Sequence, residues 1–316
     1  MKNDNPILAE QLAYYRARAR EYDKWFRREG LHDLGEEHNA RWRLELNRVY
    51  SALDAFAPRG DVLELAYGTG EWTIRLAEVA TSVVGVDAAP EMRELALAKL
   101  QDAGKSNVEL WVDDLFSWQP DQDYDVVFFA FWLSHVPESH TDRFWRSVHD
   151  ALRPGGRFFL VDAARAVLDR NVIHGSRLPD RESATELRRL EDGREFRIVR
   201  RSFDPDRLAR DLRDHGLDAS FVETGEFFVY GLGRRSSRTW DYSRGARVQA
   251  TPRGHRRGLG SLKEVLERAS DAMRADLQAS LDREKWASDG PACKLRSGTT
   301  PPRLRDRRSA RRIGGT

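Results

Sequence analysis

The segment Asp61-Val62-Leu63-Glu64-Leu65-Ala66-Tyr67-Gly68-Thr69-Gly70-Glu71-Trp72 constrains this chain more than any other. It reads as a buried strand that runs into a glycine turn and then a helix. About twenty residues on, the apolar run Val83-Val84-Gly85-Val86 ends in Asp87. Gly68 and Gly70 allow a tight turn and a close backbone approach. The helix beginning near Glu71 offers free backbone N–H groups, and Asp87 stands where two ribose hydroxyls can donate to it. A strand, a glycine turn, a helix and an acidic residue closing the next strand together form a nucleoside-binding βαβ unit.

Alternation continues downstream. Strands are predicted over 61–66, 82–87, 108–112, 125–130 and 157–162, with helices over 71–80, 90–103 and 138–152 between them. Pro90 suits the first turn of its helix. Arg153-Pro154-Gly155-Gly156 is a breaker ahead of the fifth strand. Such alternation implies an α/β fold with a doubly wound, mostly parallel Rossmann-like sheet. Ahead of it, residues 8–28 and 39–55 have helical spacing. Beyond Asp162, residues 163–193 are polar and charged and carry no clear period. A strand then follows at 196–199, and a helix opens at Asp204-Pro205-Asp206 and closes at Gly216. The strands 218–224 and 226–232 end the sheet like a hairpin.

The turn reads E-x-A-x-G-T-G, which is not the dinucleotide pattern. Here the chain resembles the class I S-adenosylmethionine (SAM)-dependent methyltransferases. Their first motif usually reads E-x-G-x-G-x-G, so Glu64, Gly68 and Gly70 match and Ala66 departs from it. A Cβ at Ala66 requires that this residue keep φ negative. Val86-Asp87-Ala88, Val112-Asp113-Asp114-Leu115, Asp125 to Phe129 and Leu152 to Gly156 follow in the family's order, and the resemblance spans roughly 61–162.

The resemblance implies SAM as cofactor, S-adenosylhomocysteine (SAH) as product, and a set of roles. Asp87 would accept from the ribose hydroxyls. Asp114 would accept from the adenine amino group, with Asp113 its rival, and the Leu115 N–H would point at the ring. Glu64 would lie near the methionine amine or one layer behind it. Ala66, Gly68, Gly70 and Phe129 would lie along the same edge. Tyr14, Arg18 and Tyr22, spaced four apart on one helix face, would form a lid over the methionine carboxylate; the alternative is an aromatic packing face. His135, after the fourth strand, is the candidate general base, or else a structural histidine capping the next helix. His38 and His174 are weaker candidates. Trp42, Trp72, Phe131, Trp132 and Phe196 are candidates for an apolar acceptor pocket, of which two are expected to line it.

Composition narrows the partners. Mean hydropathy is −0.67, 33% of residues are charged, and no apolar run is long enough for a membrane span. No secretory signal is visible at the N-terminus, and a cytoplasmic protein is expected. Cys293 is the single cysteine, which excludes an internal disulfide, and no cluster has metal-ligand spacing. The net charge of +2 is unevenly shared: 234–316 carries 21 Lys and Arg against 9 Asp and Glu, leaving 1–233 at −10.

The expected organisation is a methyltransferase domain over 1–233, with lid helices in 1–58, a SAM-binding core in 59–162 and an acceptor-side insert with sheet completion in 163–233. A basic, largely disordered tail with one helix near 262–286 follows. No N-P-P-Y or D-P-P-Y tetrapeptide follows the fourth strand, and since such tetrapeptides mark amino-group methylation in related families, the resemblance implies that a nucleobase acceptor is disfavoured. The expected activity is methyl transfer to O or N of a small, partly apolar metabolite. Its rivals are a macromolecular methyltransferase docking RNA or protein through the basic tail, and a non-catalytic SAM-binding protein.

Overall fold

The computed structural model describes residues 5–165, 177–180 and 184–236. The expected helix near 262–286 and His174 lie outside the described residues.

Seven strands form one sheet in the order β3-β2-β1-β4-β5-β10-β9. They are β1 (Asp61–Leu65), β2 (Ser82–Asp87), β3 (Val108–Val112), β4 (Tyr124–Ala130), β5 (Leu152–Ala163), β9 (Leu217–Glu223) and β10 (Phe228–Arg235). The first five are parallel, and β10 runs antiparallel to both β5 and β9. The strand order reverses between β1 and β4, which opens a crevice at their carboxyl ends.

Both faces of the sheet are covered, which is why its central strands are apolar without a gap. Val126 and Phe128 of β4 pack on one face with Trp72 and Leu76 of α4 (Glu71–Ala77) and with α3 (Glu36–Phe56). Val127 and Phe129 pack on the other, with Phe144 and Trp145 of α6 (Glu138–Ala151) and Leu208 and Leu212 of α7 (Pro205–Arg213). Period-2 alternation therefore sorts one strand into two cores. α5 (Pro90–Asp102) packs Met92, Ala96 and Leu100 against Tyr67 and Leu110. The expected start of α7 is seen directly: Asp204 accepts from the Arg207 N–H at 2.7 Å, with Pro205 in the first turn. The β9–β10 turn is held from α3 by the buried Glu45 carboxylate, which accepts from the N–H groups of Glu226 (2.9 Å) and Phe227 (2.8 Å) and from the Thr224 hydroxyl.

Three expectations need correction. The single helix over 8–28 is instead α1 (Asn5–Arg18), a 3₁₀ turn (Ala19–Glu21) and α2 (Tyr22–Arg27). The break buries Ala19 against α5 and brings Asp23 onto the glycine turn, so tertiary contacts override the helical period. The residues of the Arg153–Gly156 breaker join β5, which reaches back to Leu152 through an irregular pairing with β4. The aperiodic insert carries a second sheet, β6 (Arg177–Asp180), β7 (Thr185–Arg189) and β8 (Glu195–Val199), of which only the last strand was expected. α1 lies along β8: Tyr14 packs on Phe196 with Leu190 and Ile198.

Candidate active site

The glycine turn begins one residue past β1. The Ala66 N–H donates to the Val86 carbonyl at 2.7 Å, the last bond of the β1–β2 ladder. Ala66 then turns with φ +58°, which corrects the expectation of a negative angle there. The close approach needs a left-handed residue, and the chain supplies alanine where the family motif has glycine. Phe131, at the end of neighbouring β4, likewise has φ +54° while its N–H bonds the Val161 carbonyl at 2.7 Å. Two adjacent strand ends facing one crevice thus carry non-glycine residues in the left-handed region, a kind of strain that collects at functional sites. Ala66→Gly removes a penalty of about 1–2 kcal/mol and adds about 0.5–1 kcal/mol of chain entropy. It is expected to raise unfolding stability by up to about 1.5 kcal/mol in urea titration, whereas Ala66→Val lowers it.

Gly68, at φ +55°, donates its N–H to Asp87 Oδ2 at 2.9 Å. The Ala89 N–H donates to Oδ1 at 2.9 Å. Asp87 therefore ties the glycine turn to the end of β2, and burial pushes its carboxyl up to about 6. Gly70 has a different use. Its φ of +83° caps α4, and a Cβ there would press on Ala96 at 3.1 Å, so it serves the packing of α4 on α5 rather than the crevice. Glu64 is buried behind the turn. Burial raises its carboxyl to about 8 against the opposing pull of the neighbouring Thr73 hydroxyl. Asp114 shapes its own loop, accepting from the Phe116 N–H (3.1 Å) and the Ser117 hydroxyl (3.1 Å). Asp113 caps the Asp114 N–H instead.

The crevice holds a cavity of about 370 Å³, whose lining includes Ala66, Gly68, Asp87, Asp114, Leu115, Phe131 and Trp132 but not Glu64, Gly70 or Asp113. α1 roofs it with Leu8, Gln11, Leu12 and Tyr15, and Tyr22 closes the end over Gly68. Of the five aromatic candidates, Phe131 and Trp132 line it. Trp42 and Trp72 are core, and Phe196 packs on Tyr14. Phe129 is core as well, its ring wedged between Phe144 and Trp145, so the sheet alternation turns it away from the crevice.

The lid residues divide. Tyr22 reaches the cavity, while Tyr14 points the other way, onto β8. Arg18 sits over both rings, 5.7 Å from the Tyr14 centroid and 5.0 Å from that of Tyr22. Tyr15, one residue along, faces the cavity and was missed because the spacing of four drew attention to the other face of the helix. The lid is clipped down by charge. Asp23 Oδ1 accepts from the buried Thr69 hydroxyl at 2.6 Å, and Lys99 pairs with Asp23 Oδ2 at 2.7 Å while donating to Thr69 at 3.1 Å. Asp23→Ala removes the lid's hold on the glycine turn. It is expected to speed SAH release about tenfold in stopped-flow displacement, the effect of losing about 1.4 kcal/mol.

His135 is buried outside the cavity lining. Its Nδ1 bonds the Val199 carbonyl at 2.7 Å, which places the proton on Nδ1. Nε2 faces Arg200 Nη1 at 3.4 Å, and the ring meets Tyr15 edge-on at 5.6 Å. Burial, then the charge of Arg200, holds the imidazole well below its ordinary value. It is neutral and weakly basic, which fits a positioning group better than the expected general base. His38 packs on Phe227, away from the crevice.

SAM presents a ribose diol, an adenine and a methionine tail bearing an amine. The chain offers a buried acceptor at Asp87 and an apolar slot beside the Asp114 loop, with the Glu64 carboxyl buried one layer behind the cavity lining, so the lining residues fit the nucleoside part of the group. Comparison with known proteins agrees. Residues 62–156 match the methyltransferase-domain family. The solved structure of a DhpI–SAH complex is 37% identical, covering 73% of this chain and 98% of that one, with a TM-score of 0.58. A DhpI–SAM–HEP complex is 36% identical over the same shares, with a TM-score of 0.59. The chain belongs to the class I SAM-dependent methyltransferases.

Among curated relatives, a demethylmenaquinone methyltransferase of Lactococcus lactis is 30% identical over 111 residues, 34% of this chain and 43% of that protein. An uncharacterized methyltransferase of Synechocystis is 33% identical over 111 residues, 35% of this chain and 50% of that protein. The chain thus spans half or less of the length of these two relatives. No helix among the described residues is long and apolar enough to cross a membrane.

Proposed function

We propose that this protein transfers a methyl group from SAM to an oxygen or nitrogen of a small, partly apolar acceptor. The observation that carries this reading is the roofed cavity. α1 and Tyr22 cover the crevice where the strand order reverses, so the acceptor must fit beneath a helix. Demethylmenaquinone methyltransferases and ubiquinone/menaquinone biosynthesis C-methyltransferases stand among the relatives, which supports a small-molecule acceptor and leaves the methylated atom to the experiment.

Asp87 and the Asp114 loop hold the nucleoside, Glu64 stands toward the methionine amine, and Phe131 and Trp132 exclude water beside them. Bound SAM supplies a methyl group already activated by its sulfonium. The chain's task is therefore alignment, which can contribute about 7–11 kcal/mol. The tyrosine hydroxyls of the cavity are donors rather than bases, since burial lifts Tyr22 to about 12 and Tyr15 higher still.

Labelled SAM supplied to a host-cell extract tests the reading. Label is expected in small molecules with the wild type and is lost with Asp87→Ala. Label in the macromolecular fraction would favour docking through the basic tail over this reading.

A further inference from the structure

At the end of β4 the chain departs from its own alternation. Val126, Phe128 and Ala130 pack in the core under α3 and α4, and Val127 and Phe129 in the core under α6 and α7. By that period the Phe131 ring belongs with Phe129. It packs instead on the α3 and α4 side, and Trp132 on the other. The left-handed φ of +54° at Phe131 makes the reversal, directly after its N–H has bonded the Val161 carbonyl. The ring is thereby brought under α2, a helix with no fully buried residue of its own. It meets Trp25 edge-on at 4.7 Å and Phe26 at 6.2 Å. Phe131 lines the cavity, whereas Trp25 and Phe26 do not.

A bulky side chain with positive φ is a genuine outlier, and it persists only where its surroundings over-determine it. Three neighbours do so here. The β5 ladder holds the N–H. The rings of Trp25, Trp72 and Phe228 take the side chain at 4.7–6.4 Å. The cavity bounds the residue on its remaining side, and only this third neighbour changes as a ligand enters or leaves. α2 depends on the Phe131 ring for support, and α2 also carries Tyr22 over Gly68 and Asp23 onto the Thr69 hydroxyl.

We propose that Phe131 is a positioning residue through which a filled cavity holds α2 closed. The end of β4 then has two arrangements. In one, the turn is left-handed and the ring supports Trp25. In the other, φ returns to the extended region, the side chain follows the alternation of the strand, and Trp25 loses its support. A ligand shifts such a pair only by touching the two forms differently. SAM or SAH does so, because the left-handed form is the one that completes the cavity wall. Emptying the crevice releases the strain, and α2 lifts with Tyr22.

Hydrogen exchange of the α2 amides, followed on the full chain with and without saturating SAH, reads this coupling. In the wild type SAH should slow their exchange about tenfold. In Phe131→Ala, SAH should still bind through Asp87 and the Asp114 loop while α2 exchange stays fast, and Phe131→Tyr should restore the protection. Stopped-flow displacement gives a second readout, and neither needs an acceptor. Phe131→Ala and Trp25→Ala should each speed SAH release about three- to tenfold, the effect of losing an aromatic pair. The double variant should release no faster than the faster single variant. Melting of the ligand-free protein identifies a variant that fails to fold, and Trp25→Ala, outside the cavity lining, keeps the test decisive if Phe131→Ala does. Equal protection of α2 by SAH in wild type and Phe131→Ala, unchanged release in Trp25→Ala, or effects that multiply in the double variant overturns the proposal.

Discussion

Asp87→Ala is expected to weaken SAM and SAH binding by about 10²–10⁴-fold. Hydrogen bonds to a charged acceptor contribute about 1.5–3 kcal/mol each, and Asp87 is placed to take two from a ribose. The substitution also strips the Gly68 and Ala89 N–H groups of their acceptor, so the glycine turn loses its anchor to β2. Affinity should depend on pH as well. Burial raises the Asp87 carboxyl to about 6 in the free protein, and the ribose needs the ionised form. Binding should therefore strengthen by up to about tenfold per pH unit below 6 and level off above 7. Asp87→Asn should bind weakly, with this part of the pH dependence gone. Titration calorimetry from pH 5 to 8 measures both effects. Equal affinity in wild type and Asp87→Ala would remove Asp87 from the nucleoside site.

The cofactor half of this fold was legible because its parts are local. A buried strand, a glycine turn and a terminal acid occupy consecutive residues, and the strand order follows from their alternation with helices. What escaped the sequence depends on contacts between distant segments. Ala66 looked incompatible with a positive φ, yet the ladder bond to Val86 and the turn toward Asp87 impose one. Phe129 lies in a strand that ends at the crevice, but alternation sends its ring into the opposite core. The lid's helical period hid a break at Ala19, which is set by α5 and by Asp23 meeting Thr69. The acceptor side was the least legible. Arg188 and Glu186 lie in a charged, aperiodic stretch and Arg200 lies just past the next strand, and only the second sheet brings the three together.

Glu64→Gln should remove most of the fall in the protein's stability between pH 7 and 8. In the free wild type, burial raises the Glu64 carboxyl to about 8 against the pull of the Thr73 hydroxyl. Neutral Glu64 is the form that the fold accepts. Its favourable contribution is complete below an unfolded value of about 4.3 and is lost as pH rises through 8. The loss can reach about 3–5 kcal/mol over that window. Asp87 acts in the same direction but levels off near 6, and the imidazoles of His135, His149 and His215, all held below their ordinary value, act the opposite way up to about pH 7, so the fall between pH 7 and 8 belongs to Glu64. Thermal melts at half-unit steps should show that fall in the wild type and not in the glutamine variant. Ligand binding should run the other way. A SAM ammonium beside Glu64 favours the carboxylate, so binding at pH 7 should release up to about one proton. Calorimetry in buffers of different ionisation enthalpy reads this number directly, and Glu64→Gln should release almost none. If the wild type releases no proton, Glu64 is a buried structural acid, and the methionine amine is held by other groups.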